Sequence, residues 1–125
     1  MVKNILILNM TRMGDLIQTT PTITGLRKKY PDSNITLMVT KDFEEFSKNI
    51  PHVNKRVVID IKQFRDRKSL NGFLWIDLYR YLESLLDELK INNYDLLINL
   101  SHSKLSAFMI SYLGVNNVRG FGCDN

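Results

Sequence analysis

Short, unbroken apolar runs separated by helical segments are the feature that most restricts how this chain can fold. The first run, NILILN over residues 4–9, is apolar at successive positions rather than at alternate ones. Strands of a parallel sheet read this way because helices cover both of their faces. Later runs predict strands over Asn34–Thr40, Lys55–Ile61 and Tyr94–Leu100, and NVRGFG predicts the start of a fifth strand or a loop.

Segments with helical spacing fill the intervals between these strands. Thr20 suits an N-cap and Pro21 a first helical position, which predicts a helix over Pro21–Tyr30. Gly14–Thr19 would then form a leading turn, joined to that helix by a kink. KDFEEFSKNI predicts a short helix, Phe73–Ile91 a long one, and SKLSAFMISYLG another. The side chains expected in the core from the last two are Leu74, Trp75, Leu78, Leu82, Leu85, Leu89, Leu105, Phe108, Met109 and Tyr112.

The alternation of strand and helix predicts an α/β, Rossmann-like domain of three layers, with a parallel sheet of about five strands. The 125 residues fit a single domain over residues 1–125. No run approaches the ~18 apolar residues of a membrane span, and one cysteine, Cys123, fits a reducing compartment. We therefore expect a soluble, cytoplasmic chain, which leaves room for contact with a membrane surface.

Ligands of open parallel sheets bind outside the carboxyl ends of the strands, so function is expected at that edge. The glycine-rich dinucleotide and P-loop fingerprints are absent from the sequence, as is a nucleophile elbow. His and Cys show no metal-ligand spacing. The sequence therefore predicts neither a bound metal nor a cofactor.

Asp15 is the sharpest catalytic candidate, because it follows Gly14 just beyond the first strand. A carboxylate at the mouth of the sheet could act as a general base, with Gly14 allowing a substrate to approach the backbone. An acid in the first turn of a helix is also favoured by the helix dipole alone. The residues leave both interpretations open.

The densest basic cluster lies after the third strand and could hold an anionic substrate or form a solvated loop. Its members are Lys62, Arg65, Arg67 and Lys68. The net charge of +4 is modest, and only Phe64 interrupts the cluster, so we expect no nucleic-acid partner. After the fourth strand, Ser101 and His102 are candidate ligand contacts, although Ser101 or Ser103 would equally suit a helix N-cap.

Four stretches together resemble the amino-terminal half of glycosyltransferase family nine, the lipopolysaccharide heptosyltransferases. The first resembles the opening strand, Gly-Asp turn, Thr-Pro helix and second strand of that family. The second and third resemble its Asn-Pro-x-Val segment and its Tyr-Asp-Leu strand with the Ser-Ala helix, and the last resembles its Arg-x-Gly-Phe. They read ILILNMTRMGDLIQTTPTITGLRKKYPDSNITLMV, NIPHVNKRVVID, YDLLINLSHSKLSAFMISYLGV and VRGFG.

The resemblance implies the acceptor-binding half of a two-domain GT-B fold, in a bacterial enzyme that transfers heptose from ADP-heptose with inversion. Asp15 stands where the family has its proposed catalytic base. The resemblance further implies a lipid-linked, anionic sugar acceptor carrying Kdo and lipid A phosphates, contacted at the inner face of the inner membrane. The implied acceptor-side residues are Thr11, Arg12, Met13, Gly14, Lys62, Arg65, Arg67, Lys68 and Arg119, to which Ser101 and His102 are added from their position after the fourth strand.

Two features depart from the family pattern. Many members have Gln-Gly where this chain has Ser101-His102. The donor-binding domain is expected to lie outside these 125 residues, so the chain alone should be inactive. The alternative is a non-catalytic, flavodoxin-like module that binds a small anion or a protein partner.

Overall fold

The computed structural model describes residues 2–10, 13–60, 72–101 and 104–120, with side chains at 13–18, 72–75 and 104 left out of the description. Five strands form one sheet: β1 (Asn4–Asn9), β2 (Asn34–Thr40), β3 (Lys55–Ile59), β4 (Leu96–Asn99) and β5 (Val118–Gly120). The helices are α1 (Met13–Lys29), α2 (Glu44–Ser47, after a 3₁₀ turn over Lys41–Phe43), α3 (Gly72–Lys90) and α4 (Lys104–Leu113).

The sheet is parallel throughout and has the strand order β3-β2-β1-β4-β5. The chain therefore moves outward from β1 to β3, returns through α3 to the other side of β1, and moves outward again to β5. This confirms the predicted Rossmann-like α/β arrangement. It also places the point where the strand order reverses between β1 and β4.

Two apolar cores cover the two faces of the sheet. Alternate residues of β1 divide between them, since Ile5 and Ile7 face α1 and α2 whereas Leu6 and Leu8 face α3 and α4. This division explains why β1 is apolar at each of residues 5–8.

The predicted leucine stripe of α3 is confirmed from Leu78 onward, whereas the side chains of Leu74 and Trp75 lie outside the described residues. Leu82 and Leu89 are buried, and Leu78 and Leu85 pack partly buried against the same core. The stripe omitted Leu86, which is fully buried. On α4, Met109 is buried as expected, but Phe108 is 38% exposed and packs against exposed Tyr79 at a ring-centroid distance of 6.2 Å.

The predicted start of the first helix is wrong. α1 begins at Met13 and runs continuously through Pro21, so Thr20 is a helical residue rather than an N-cap. Gly14 and Asp15 consequently belong to the first turn of the helix and not to a separate leading turn. Proline in a helix interior removes one main-chain hydrogen bond, and the helix continues in spite of that loss.

The Arg27 side chain links several segments by hydrogen bonds at the amino edge of the sheet, which is the edge opposite the expected site. Its guanidinium donates to the carbonyls of Pro31 (3.1 Å), Ser33 (2.7 Å) and His52 (2.8 Å), and to Asn54 Oδ1 (2.6 Å). A planar, permanently charged fork suits this many acceptors. One side chain thus ties α1 to the segments that precede β2 and β3.

Candidate functional site

The candidate site lies at the carboxyl ends of β1 and β4, the two central strands. Leu8 pairs with Asn99, and the Leu100 N–H donates to the Leu8 carbonyl at 2.9 Å. In open α/β sheets the crevice for a ligand opens where the strand order reverses. Here Met10 follows β1, α1 begins at Met13, and Ser101 follows β4.

Ser101 lies at this edge, two residues after the end of β4. Its side chain is 1% exposed, and its Oγ accepts the Met10 N–H at 2.7 Å. The Ser101 N–H in turn donates to Asn99 Oδ1 at 3.0 Å. The hydroxyl predicted to contact substrate is therefore engaged by the main chain at the exit of β1.

A second buried polar pair joins β1 to α1. Asn9 Nδ2 donates a hydrogen bond to Thr19 Oγ1, and both side chains are buried. Buried polar groups are costly unless they are bonded, so such a pair favours one relative position of strand and helix. No role was predicted from the sequence for Asn9 or Thr19. A signal was present, because β1 and β4 each end in asparagine after an otherwise apolar run.

Asp15 is the third residue of α1 and lies in its first turn, close to the carboxyl end of β1. Met13 and Gly14 precede it in the same turn. The helix begins at this edge of the sheet, so its positive end faces the crevice, which favours an ionised carboxylate. The catalytic role of Asp15 stays a prediction, since its side chain lies outside the description.

Several other predicted site residues fall outside the described residues. These are Thr11, Arg12, Lys62, Arg65, Arg67, Lys68 and His102. Their roles stay predictions.

Arg119 is exposed on the edge strand β5, one residue before the strand ends. It pairs in register with Ile98, which packs in the core on the α1 face, so Arg119 also projects from that face. β5 is two strands from β1, or about 10 Å at the usual strand spacing. Arg119 is therefore on the same side of the sheet as α1 and near the same edge.

Gly120 ends β5 in close contact with β4. Its φ is +108°, and an added Cβ would lie 2.1 Å from the Asn99 carbonyl oxygen. Only glycine fits such an approach without displacement of one strand. The VRGFG motif therefore has a structural reason for its first glycine.

Two side-chain contacts lie at the carboxyl ends of β2 and β3. Lys41 Nζ lies 3.8 Å from Asp60 Oδ2, and the Asp60 N–H donates to the Tyr81 hydroxyl at 2.9 Å. Tyr81 belongs to α3, so it anchors the main chain directly ahead of the predicted basic cluster. Periodicity could not reveal this contact, because it joins two elements that are distant in sequence.

A cavity of about 220 Å³ opens at the opposite, amino edge, among the ends of α3 and α4 and the start of β4. Asp95 lines it, but Asp95 Oδ2 accepts the N–H groups of Lys3 (2.8 Å) and Asn4 (2.9 Å). These hydrogen bonds hold the pKa of the Asp95 carboxyl below its usual value. Because the Asp95 carboxylate is hydrogen-bonded to the main chain at the start of β1, we do not place the active site in this cavity.

Within residues 2–10, 13–60, 72–101 and 104–120, no three acidic, His or Cys side chains form a metal-binding group. None of the helices in the same ranges is long and apolar enough to cross a membrane.

Comparison with known proteins shows what this architecture resembles. Lipopolysaccharide heptosyltransferase 3 of Escherichia coli strain K12 is 31% identical over 100 residues, and a second Escherichia coli heptosyltransferase 3 is 28% identical over the same length. Each alignment covers 80% of this chain. The chain resembles the lipopolysaccharide heptosyltransferases. It spans only about a quarter of their length, 26% and 27% respectively.

Solved heptosyltransferase-like structures have the same fold. The family 9 glycosyltransferase of Veillonella parvula superposes over 95% of this chain with a TM-score of 0.75 and 21% identity, covering 33% of that protein. Escherichia coli heptosyltransferase WaaC, solved with ADP-2-deoxy-2-fluoro heptose, superposes over 94% with a TM-score of 0.69 and 21% identity, covering 36% of that protein. No family model matches the chain. The resemblance inferred from the four sequence stretches is confirmed.

Proposed function

We propose that this chain is the acceptor-binding domain of an inverting glycosyltransferase that transfers heptose to the inner core of lipopolysaccharide. The observation that carries the proposal is the position of Asp15. It lies in the first turn of α1, where the strand order reverses, in a fold that superposes on heptosyltransferases. Similarity to curated heptosyltransferases over 80% of the chain supports the reaction class.

In the proposed reaction, the Asp15 carboxylate removes the proton from an acceptor hydroxyl. That oxygen attacks the anomeric carbon of ADP-heptose from the face opposite the nucleotide, and the bond to the diphosphate breaks. The structure of WaaC contains ADP-2-deoxy-2-fluoro heptose, and this chain covers 36% of that protein. We place the donor site in the part of the full-length protein that corresponds to the rest of WaaC. We expect the chain alone to bind acceptor without transferring sugar.

The acceptor is proposed to be a lipid-linked sugar with carboxylate or phosphate groups. Lys62, Arg65, Arg67, Lys68 and Arg119 would contact these anions, and Thr11–Gly14 with His102 would line the sugar site. A cytoplasmic protein in peripheral contact with the inner membrane could reach such an acceptor. Arginine forks match carboxylate and phosphate oxygens geometrically.

The rate of sugar transfer by the full-length protein tests whether Asp15 is the general base. With ADP-heptose and a Kdo–lipid A acceptor, Asp15→Ala should lower kcat by roughly 10²–10⁴-fold with little change in acceptor binding. Asp32→Ala is the matched control, because Asp32 is an exposed acid in the turn before β2, at the opposite edge. Near-normal turnover of Asp15→Ala would remove Asp15 from the mechanism.

Acceptor binding by the chain tests the basic cluster. Neutralising Lys62, Arg65, Arg67 and Lys68 together should weaken binding of the anionic acceptor and reduce its dependence on salt. The control neutralises four exposed lysines at or toward the amino edge: Lys3, Lys28, Lys29 and Lys55. If both variants lose affinity equally, the effect reflects net charge, and the cluster is no acceptor site.

A further inference from the structure

Four buried polar side chains surround the exit of β1 in an otherwise apolar part of the sheet. They are Asn9, Thr19, Asn99 and Ser101, each 2% exposed or less. They come from the ends of two strands and the second turn of α1. Buried polar groups persist when their hydrogen bonds fix a particular geometry.

The first tether holds the main chain just before the Thr11–Gly14 segment. Ser101 Oγ accepts the Met10 N–H at 2.7 Å, across 91 residues of sequence. Ser101 is itself held, because its N–H donates to Asn99 Oδ1 at 3.0 Å. The end of β4 therefore fixes where the chain leaves β1.

The second tether holds the helix after that segment. Asn9 Nδ2 donates to Thr19 Oγ1, and Thr19 is fully buried. The two tethers bracket residues 10–19, and Asp15 lies midway between them. Movement of the first turn of α1 relative to the sheet would have to lengthen at least one buried hydrogen bond.

The hydroxyls of two other buried serines, Ser33 and Ser47, make local hydrogen bonds. Ser33 Oγ donates to the Tyr30 carbonyl and Ser47 Oγ to the Glu44 carbonyl, each three residues earlier. Such bonds stabilise a turn without linking distant elements. The bond between Ser101 and Met10 differs because it joins two strands at the crevice.

We propose that Ser101 and Thr19 are positioning residues, which hold the first turn of α1, and with it the main chain of Asp15, at the carboxyl end of β1. This inference rests on the proposed function, in which Asp15 is the base. It assigns Ser101 a role different from the direct acceptor contact predicted from the sequence. A misplacement of about 1 Å can cost on the order of 100-fold in rate, so small shifts of α1 matter.

The experiment measures kcat and acceptor KM of the full-length protein, with ADP-heptose and a Kdo–lipid A acceptor. Ser101→Ala and Thr19→Val each remove one tether at nearly constant shape, and kcat should fall about 10- to 100-fold with acceptor KM within about twofold. Thr19→Ser keeps the hydroxyl and should retain near-normal kcat. Ser33→Ala removes a buried serine bond at the amino edge and should leave kcat unchanged.

A double-mutant cycle separates positioning from general destabilisation. In an Asp15→Asn background, Ser101→Ala should lower the residual rate less than twofold, because the group that it positions is gone. Equal losses in both backgrounds would overturn the inference. So would a Thr19→Ser variant as slow as Thr19→Val, or a Ser33→Ala variant as slow as Ser101→Ala.

The two proposals fail in different ways. If Asp15→Asn retains turnover, the proposed function is refuted whatever the tether variants do. If Asp15→Asn abolishes turnover while Ser101→Ala and Thr19→Val match Ser33→Ala, only the positioning roles are refuted.

Discussion

Replacement of Gly120 by alanine should be among the most damaging single-methyl additions in the described part of this chain. The new Cβ would lie 2.1 Å from the Asn99 carbonyl oxygen and 2.9 Å from its carbon, whereas ordinary contacts begin above 3 Å. Those atoms belong to the backbone of β4, so relief requires β5 to move away by about 1 Å. The φ of +108° adds strain of its own.

The magnitude follows from these two effects. Backbone strain of this kind costs about 1–3 kcal/mol, and forced displacement in a packed interior costs about 1–3 kcal/mol. We expect a loss of about 3–5 kcal/mol in the free energy of unfolding, a large share of the ~5–15 kcal/mol typical of a domain. The urea midpoint should fall by about 2 M.

Two other glycines provide matched controls for urea unfolding followed by far-ultraviolet circular dichroism. Gly114 has a φ of +66° with open space around it, so Gly114→Ala should cost only the strain, about 1–2 kcal/mol. Gly25 lies in α1 with open space, so Gly25→Ala should stabilise the chain by about 0.5–1 kcal/mol. If Gly120→Ala costs no more than Gly114→Ala, the close approach of β5 to β4 is refuted.

Three further predictions concern the amino edge and the surface between α3 and α4. Arg27→Lys should cost about 1–3 kcal/mol in unfolding free energy, because a single ammonium cannot serve four acceptors; a loss below 0.5 kcal/mol in urea titrations would contradict this. Asp95→Asn should destabilise the chain at pH 6 and match the wild type toward pH 2. The pKa of the Asp95 carboxyl is lowered from 3.8 by main-chain hydrogen bonds. The stability that the ionised carboxylate contributes is therefore present above pH 3.8 and is lost as pH falls through the folded-state pKa. A difference in stability between variant and wild type that does not change with pH would contradict this prediction. The hydrogen bond to Asp87 raises the pKa of Tyr112 to about 12, so the stability that it contributes is present below pH 10 and is lost as pH rises toward 12. In Asp87→Ala, an NMR titration should return the pKa of the Tyr112 ring toward 10, and an unchanged value would exclude that cause.

β1 and β2 were predictable because they are mostly apolar runs with polar residues at both ends, whereas β4 is Leu96–Asn99 and so shorter than the predicted Tyr94–Leu100. The observed bounds of β1 and β2, Asn4–Asn9 and Asn34–Thr40, match the prediction. The start of α1 was not predictable in this way. Thr20-Pro21 is a good local N-terminus, but the helix begins seven residues before Thr20, and Asn9 Nδ2 donates a buried hydrogen bond to Thr19 in the added part.

For the candidate site, the sequence predicted only the edge of the sheet at which it should lie. The rule that ligands bind at carboxyl ends of parallel strands identified four segments, one after each of the first four strands, and those after β1 and β4 are two of them. That these two strands are neighbours follows from the strand order, which the sequence does not specify. The bond from Ser101 to Met10 depends on that order, so local patterns could suggest only an N-cap or a ligand contact for Ser101.

The adjacency of β1 and β4 also has a consequence for synthesis on the ribosome. β1 can pair with β2 once residue 40 has emerged, but its other side waits for residues 96–99. Until then the strand presents unpaired main-chain groups to the translation machinery and to chaperones, a state that favours misassembly. The junction of β1 with β4 therefore forms only after residues 96–99 have emerged, and a nascent chain halted before residue 96 would have helices and two or three paired strands but no β1–β4 edge.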